Sequence, residues 1–212
     1  MTLIKSISGI RGTIGGKPGE SLSPIDVVKF SAAYGTWMKQ NSDSAKAVIG
    51  RDARPTGGYI ADLVSGTLRT LGIDVIDLGL STTPTVEMEV VRQQAGGGII
   101  ITASHNPNQW NALKLLNDKG EFISASDGAA ILDIAAKEDF DFVEVKKTGH
   151  YELNEEALEK HIEAIMALPL VDLEAIKARE FHVIVDAVNS SGGIAIPLLL
   201  EKLGVKVEKM IC

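Results

Sequence analysis

Residues 96–114 read Gly-Gly-Gly-Ile-Ile-Ile-Thr-Ala-Ser-His-Asn-Pro-Asn-Gln-Trp-Asn-Ala-Leu-Lys, and this stretch decides how the fold is interpreted. The β-branched run at residues 99–102 follows three glycines, which is typical of a strand buried on both faces of a parallel sheet. Polar residues begin directly after it. Ser104 and His105 are therefore predicted at the carboxyl end of a buried strand, where open α/β sheets bind their ligands.

The residue types in the loop that follows allow two interpretations. A serine hydroxyl is a weak nucleophile that needs activation, and His105 is next to Ser104 in the sequence. Pro107 restricts the loop, Asn106 is one of three asparagines that supply amide donors, and Lys114 can bring a point positive charge to an anion. The alternative is a polar turn of an α/β domain in which His105 only caps the turn. The residues alone leave both interpretations open.

A family resemblance favours the first interpretation. Residues 102–107, Thr-Ala-Ser-His-Asn-Pro, together with Lys114, resemble the active-serine loop of the α-D-phosphohexomutases. That family includes phosphoglucomutase, phosphomannomutase and phosphoglucosamine mutase, and its active serine, which carries a phosphoryl group, matches Ser104. Two positions depart from the family pattern: Ala112 stands where glycine is usual, and Trp110 where tyrosine is common.

A second segment near the amino terminus carries the same resemblance. A short strand is predicted at residues 3–7, and residues 8–16, which include four glycines, are predicted to form a loop. Glycines let backbone N–H groups approach a ligand closely, and the single Arg11 suits phosphate or carboxylate. Residues 9–12, Gly-Ile-Arg-Gly, resemble a segment of the family in which the arginine lies beside the active serine. Ser8 stands where many members have aspartate.

Composition excludes several classes of partner. The chain has 212 residues, of which 45% are hydrophobic, and a net charge of −7 without any basic run, which argues against nucleic acid and against an anionic membrane surface. Cys212 is the single cysteine, so a disulfide framework or a cysteine metal site within the chain is excluded and a reducing compartment is favoured. The start lacks a signal-peptide pattern, and no apolar run approaches membrane-spanning length. We therefore expect a cytoplasmic protein.

The order of elements predicts an α/β fold of three layers, α/β/α, around a mixed, mostly parallel sheet. Residues 1–149 are predicted as this first domain, and residues 150–212 as the truncated start of a second, similar one. Residues 48–75 and 183–207 share the order strand, loop, Gly-Gly, helix, Leu-Gly, strand, which indicates a duplicated unit. Because the second copy is not completed, we expect a fragment whose apolar helix and unpaired strand edge can drive self-association.

The resemblance implies an activity and a set of residues that perform it. It implies a phosphotransferase that interconverts hexose 1-phosphate and 6-phosphate through phospho-Ser104 and a hexose bisphosphate. Arg11, His105 and Lys114 are the candidates for positioning and proton transfer, and Arg11, Lys114 and Asn106 for phosphate binding. Mg²⁺ is the implied cofactor, bound through the Ser104 phosphate. Its other ligands would lie outside this chain, because the family's Asp-Gly-Asp-x-Asp-Arg loop and its sugar-discriminating loop are absent. We therefore expect the chain to be inactive alone.

Two other function classes compete with this one. A Rossmann-type nucleotide-binding protein would need Gly-x-Gly-x-x-Gly directly after a strand and opening a helix, and the glycines here do not meet that context. A non-catalytic phosphosugar-binding module stays open, and covalent phosphate on Ser104 would discriminate it from the enzyme. Arg51 and Arg54 are expected to order the architecture of the loops rather than to react.

Overall fold

The structure is a computed structural model that describes residues 1–6 and 9–211. Ile7, Ser8 and Cys212, which entered the sequence analysis, lie outside these residues. In the described part, one large sheet is formed by seven strands: β1 (Ile4–Ser6), β2 (Gly9–Thr13), β3 (Lys46–Arg51), β4 (Asp74–Leu80), β5 (Gly97–Ile101), β6 (Trp110–Leu116) and β7 (Tyr151–Leu153). Five helices accompany it: α1 (Pro24–Asn41), α2 (Gly57–Thr70), α3 (Thr83–Arg92), α4 (Ala125–Lys137) and α5 (Ala157–Met166).

The large sheet is mixed, with the order β1-β2-β6-β5-β3-β4-β7. Strands β5, β3, β4 and β7 are paired in parallel, whereas β6 is antiparallel to both of its neighbours, β5 and β2. Strand β2 therefore runs in the same direction as β5. Of the seven strands in the described residues, five run in this direction: β2, β3, β4, β5 and β7. This confirms the predicted mixed, mostly parallel sheet, and it brings the carboxyl ends of β2, β3 and β5 to one end of the sheet.

Helices cover both faces of this sheet. One face packs against α1, α2 and α4 and includes Ile99 and Ile101, and the other packs against α3 and α5 and includes Ile100. All five residues of β5 are buried, as the uninterrupted apolar run predicts. The predicted three-layer α/β/α arrangement is confirmed. None of the helices in the described residues combines the length and apolar character that crossing a bilayer requires.

The prediction of a glycine-rich loop at residues 8–16 is wrong for Gly9–Thr13, which forms β2 between β1 and β6. The glycines at the two ends of this segment allow close backbone packing. A Cβ atom on Gly9 would lie 2.2 Å from the carbonyl oxygen of Leu113, and one on Gly12 would lie 2.8 Å from the backbone nitrogen of Leu22. These glycines therefore allow the backbone to pack closely, whereas the sequence analysis assigned them to the approach of a ligand.

Beyond Gly149 the chain first continues on the large sheet. Strand β7 pairs in parallel with β4, and α5 packs against α3. Residues 151–166 therefore extend the large sheet and one of its helical layers, although the predicted domain boundary lies before them. After α6 (Leu173–Ala178), the described residues contain a separate two-stranded parallel sheet, β8 (His182–Val185) and β9 (Lys206–Lys209), connected by α7 (Gly192–Lys202). This unit repeats the arrangement of β3, α2 and β4, as the internal sequence repeat predicted.

Candidate functional site

Ser104 lies on the loop after β5, at the end of the sheet where the sequence placed it. Its side chain and that of His105 are exposed. The backbone of Ser104 is in the left-handed region, with φ of +53°, which is uncommon for a residue other than glycine. Its N–H group donates to the hydroxyl oxygen of Thr102 at 3.0 Å. The serine is therefore exposed to solvent, while its backbone is held by the hydrogen bond to Thr102.

Arg54 follows β3 and is bonded directly to the backbone of this loop. Its Nη2 donates to the carbonyl oxygens of Ser104 and Asn106, both at 2.7 Å. Its Nη1 donates to the carbonyl oxygens of Pro107 at 2.9 Å and Trp110 at 3.0 Å. Arg54 thus orders the serine loop, which is the role expected for it from the sequence.

Asp52 and Thr102 complete this network, and the sequence analysis assigned neither of them a role. Oδ2 of Asp52 accepts the hydroxyl of Thr102 at 2.6 Å and Nε of Arg54 at 3.2 Å, and Oδ1 accepts the backbone N–H of Arg54 at 3.0 Å. The available signal was topological, because the two residues directly follow adjacent parallel strands, β3 and β5. Nη1 of Arg51 donates to the carbonyl oxygen of Asp52 at 3.3 Å, in the turn after β3.

Arg11 lies on β2, two strands away from β5. Its register partner is Ala112 of β6, and the carbonyl of Ala112 accepts the N–H of Thr102 at 3.2 Å. The side chain of Arg11 is exposed and makes no hydrogen bond or ion pair with the part of the chain that the structure describes. The pairing therefore places Arg11, whose guanidinium is unpaired among the described residues, on β2. Strand β6 lies between Arg11 and the start of the serine loop.

The structure does not bring Lys114 to Ser104. Lys114 pairs with Ile100, and because β6 runs antiparallel to β5, each residue after position 111 lies about 3.3 Å farther from the serine loop. Its Nζ lies 5.8 Å from the ring centroid of Phe122, near the far end of β6. Burial raises the pKa of the Glu87 carboxyl there, and the positive charge of Lys114 opposes that rise.

A cavity of about 360 Å³ opens beside the serine loop. One wall is the turn after β3 and the loop itself, and the opposite wall comes from the turn after β8. The residues that line it include Asp52, Arg54, Ser104, His105, Asn106 and Asn189. This volume suits a small ligand such as a sugar phosphate. The cavity joins three of the predicted site residues, Ser104, His105 and Asn106, whereas Arg11 and Lys114 are not part of its lining.

A more open depression of about 580 Å³ lies elsewhere, beside the loop after α1 and the turn at Asp118, and holds none of the predicted site residues. The cavity beside Ser104 is therefore the candidate site, because chemistry rather than size distinguishes the two. No three His, Cys, Asp or Glu side chains within residues 1–6 and 9–211 are grouped closely enough to hold a metal ion. Asp52, the carboxylate in the cavity wall, is already bonded to Arg54 and Thr102. The described donors do not by themselves fit a Mg²⁺ site.

Comparisons with known proteins agree with this fold. Residues 3–142 match the family model described as phosphoglucomutase/phosphomannomutase, alpha/beta/alpha domain I. A phosphoglucomutase/phosphomannomutase of Thermococcus kodakarensis is 38% identical over 200 residues, which are 92% of this chain and 43% of that protein. A phosphoglucosamine/phosphogalactosamine mutase of Sulfurisphaera tokodaii is 32% identical, over 94% of this chain and 42% of that protein.

A solved structure supports the fold independently. The crystal structure of a phosphoglucomutase/phosphomannomutase family protein from Burkholderia thailandensis superposes with a TM-score of 0.80 at 22% identity, covering 98% of this chain and 43% of that one. The chain thus spans less than half the length of the curated relatives that it matches. The matched domain model and the 38% identity to an archaeal relative show that the chain belongs to the phosphoglucomutase/phosphomannomutase family and carries its N-terminal part.

Proposed function

We propose that Ser104 is the phosphoryl carrier of a hexose phosphate mutase, which interconverts the 1-phosphate and the 6-phosphate through a hexose bisphosphate. One observation carries the proposal: Ser104 is exposed at the carboxyl end of β5 and lines a cavity of about 360 Å³, in a loop with the family's active-serine sequence. Family membership supports a sugar phosphate mutase in general. The roles of the individual residues are proposals.

The proposed transfer conserves atoms and charge. The bond between phosphorus and Ser104 Oγ breaks while a hexose hydroxyl oxygen bonds to the same phosphorus, and the proton of that hydroxyl ends on Oγ. The bisphosphate then reverses its orientation in the site. Its other phosphoryl group is transferred to Oγ by the reverse step. Exposed His105 is our candidate for carrying the proton, and Asn106 for binding a phosphate oxygen. Transfer of this kind depends mainly on positioning and on stabilising charge.

Positive charge for the phosphate is assigned first to Arg11. A phosphoserine carries about −1.5 to −2 charges near pH 7 and needs cationic partners. The guanidinium of Arg11 has no hydrogen bond or ion pair within residues 1–6 and 9–211, whereas the donors of Arg54 are bonded to Asp52 and to the loop. For Lys114 the same role requires its side chain to leave the Phe122 ring.

Substrate and cofactor are proposed only as classes. The relatives' names include glucose, mannose, glucosamine and galactosamine mutases, so we propose a hexose phosphate without naming the sugar. Mg²⁺, which the family resemblance implies, would neutralise phosphate charge, and an oxygen of phospho-Ser104 is the ligand that we propose for it from the described part of the chain. Because the chain spans less than half of its relatives, we propose that it accepts phosphate but does not turn over substrate alone.

Phosphate uptake tests the proposal directly. The purified chain is incubated with a hexose 1,6-bisphosphate, and phosphopeptides are identified by mass spectrometry. We expect phosphate on Ser104, none in Ser104→Ala, and normal uptake in Ser126→Ala, a control at an exposed position on α4. Equal phosphate in wild type and Ser104→Ala would contradict the proposal. Binding of hexose phosphate without covalent phosphate would instead support a phosphosugar-binding module.

A further inference from the structure

We propose that Asp52, Arg54 and Thr102 are positioning residues that hold Ser104 in its left-handed conformation and so direct its hydroxyl into the cavity. The inference rests on the proposed function of Ser104 and adds what keeps that serine in place. It concerns three side chains that carry no reacting atom.

The guanidinium of Arg54 has no donor left for a ligand. An arginine side chain carries five N–H donors: one on Nε and two on each terminal nitrogen. Here Nε bonds to Asp52, and the two terminal nitrogens make four bonds to backbone carbonyls of the serine loop. The side chain is only 8% exposed. Arg54 lines the cavity, yet every donor is directed at the protein, so it shapes the loop instead of gripping phosphate.

Asp52 sets the direction of the Thr102 hydroxyl. That hydroxyl has one proton, which it donates to the carboxylate of Asp52 at 2.6 Å. Its lone pairs are then free to accept the N–H of Ser104 at 3.0 Å. The carboxylate also balances the charge of Arg54 beside it. The Asp52 carboxylate thereby holds both partners of Ser104. These are the Thr102 hydroxyl, which accepts the Ser104 N–H, and the Arg54 guanidinium, which donates to the Ser104 carbonyl.

The two bonds hold Ser104 from both sides. Thr102 binds the N–H before the Cα atom, and Arg54 binds the carbonyl after it. A left-handed backbone is costly for an L-residue with a Cβ, and such a conformation persists only where surrounding contacts impose it. Without these contacts we expect the loop to relax to ordinary backbone angles. The hydroxyl would then move, and a displacement of about 1 Å can lower the rate of a transfer about 100-fold.

Paired substitutions at Thr102 test the inference. Thr102→Val keeps the shape of the side chain and removes the hydroxyl, whereas Thr102→Ser keeps the hydroxyl. Two quantities are measured on the whole chain: the hydrogen exchange rate of the Ser104 amide by NMR, and the rate of phosphate uptake from a hexose 1,6-bisphosphate. We expect Thr102→Val to speed exchange and to slow uptake by about 10-fold or more, as loss of a hydrogen bond of about 1.4 kcal/mol implies. Thr102→Ser should restore both.

Two arginine variants separate positioning from general loss of stability. Arg54→Lys keeps the charge but cannot reproduce the fork of bonds, so we expect it to behave as Thr102→Val does. Arg69→Lys is the control, because Nε of Arg69 also donates to a backbone carbonyl, that of Gly149, at 3.0 Å and away from the site. It should leave both Ser104 readouts unchanged. If Thr102→Val does not fold, Arg54→Lys carries the same expectation.

The outcomes are distinct. Wild-type amide exchange and phosphate uptake in Thr102→Val or in Arg54→Lys would overturn the inference. If wild-type protein takes up no phosphate at all, the proposed function fails, and the amide exchange rates alone then decide whether these residues hold Ser104. Equal loss in Arg69→Lys and Arg54→Lys would also count against positioning.

Discussion

Nδ2 of Asn111 lies 2.8 Å from Oγ1 of Thr56, and the two residues connect β6 to the start of α2. Asn111 is fully buried, and its Oδ1 accepts the N–H of Ala112. The amide therefore uses both ends in the interior, directly after the serine loop. This bond joins the segment that carries Arg54 to the segment that closes the loop, and it lies outside the network at Ser104 itself.

Removing this amide should weaken the fold. We expect Asn111→Ala to lower the free energy of unfolding by about 1–3 kcal/mol, because the buried N–H of Ala112 loses its acceptor and the bond to Thr56 is lost. Urea unfolding followed by circular dichroism measures it. Asn108→Ala is the control: Asn108 is exposed on the same loop, and its replacement should stay within about 0.5 kcal/mol of wild type. Equal effects at the two positions would show that burial is not the reason.

Two serines of the first helix should respond in opposite ways. Ser23 is the N-cap of α1 in a capping box with Asp26, so Ser23→Ala should lower stability by about 0.5–2 kcal/mol. The Ser31 hydroxyl is buried in the same helix without a hydrogen-bond partner among the described residues. Ser31→Ala should therefore leave stability unchanged or raise it. Thermal unfolding of both variants checks this, and a loss at Ser31 as large as that at Ser23 would contradict it.

Stability should fall at acidic pH partly because of His161. Its Nδ1 lies 3.0 Å from Oγ1 of Thr85, between α5 and α3, and burial lowers the pKa of its imidazole. The folded state therefore favours neutral histidine. Its contribution is present above the unfolded pKa of about 6.5 and is lost as the pH falls through the lower folded value.

Urea unfolding at pH 7.5 and pH 5.5 measures this contribution. The loss of stability between these pH values should be smaller in His161→Gln than in wild type. His150→Gln, at an exposed position, should keep the wild-type difference. An unchanged pH dependence in His161→Gln would exclude a role for this histidine.

Self-association should arise from the unit formed by β8, α7 and β9. Ile184 is 60% and Ile194 is 49% exposed there, and exposed apolar surface favours association. Sedimentation velocity over a range of concentrations should show oligomers that the double substitution Ile184→Lys/Ile194→Lys reduces. Ile25→Lys is the control, since Ile25 is 62% exposed on α1. If the control reduces association equally, another surface is responsible.

Local patterns predicted the position of Ser104 correctly. An apolar run that stops at polar residues fixes where a buried strand ends, and this signal needs no knowledge of neighbouring strands. The capping box at Ser23 is a signal of the same local kind, because it acts within one helical turn. The three-layer arrangement also followed from the order of elements.

Non-local pairing explains what the sequence did not reveal. The antiparallel direction of β6 decides that Lys114 lies beside Ile100 and not beside Ser104, and residue types do not encode that direction. The pairing of β2 with β6 likewise turned a predicted glycine loop into a strand. The contact of His161 with Thr85 likewise depends on how two helices pack.

The register of β2 against β6 also constrains the order of events during synthesis. Arg11 pairs with Ala112, so β2 cannot take its place until about 100 further residues have been made. At ribosomal speeds of about 5–20 residues per second this takes about 5–20 s, during which β2 has β1 beside it but lacks β6. Arg11 therefore takes its place in the sheet only after the segment that carries Ser104 has been made.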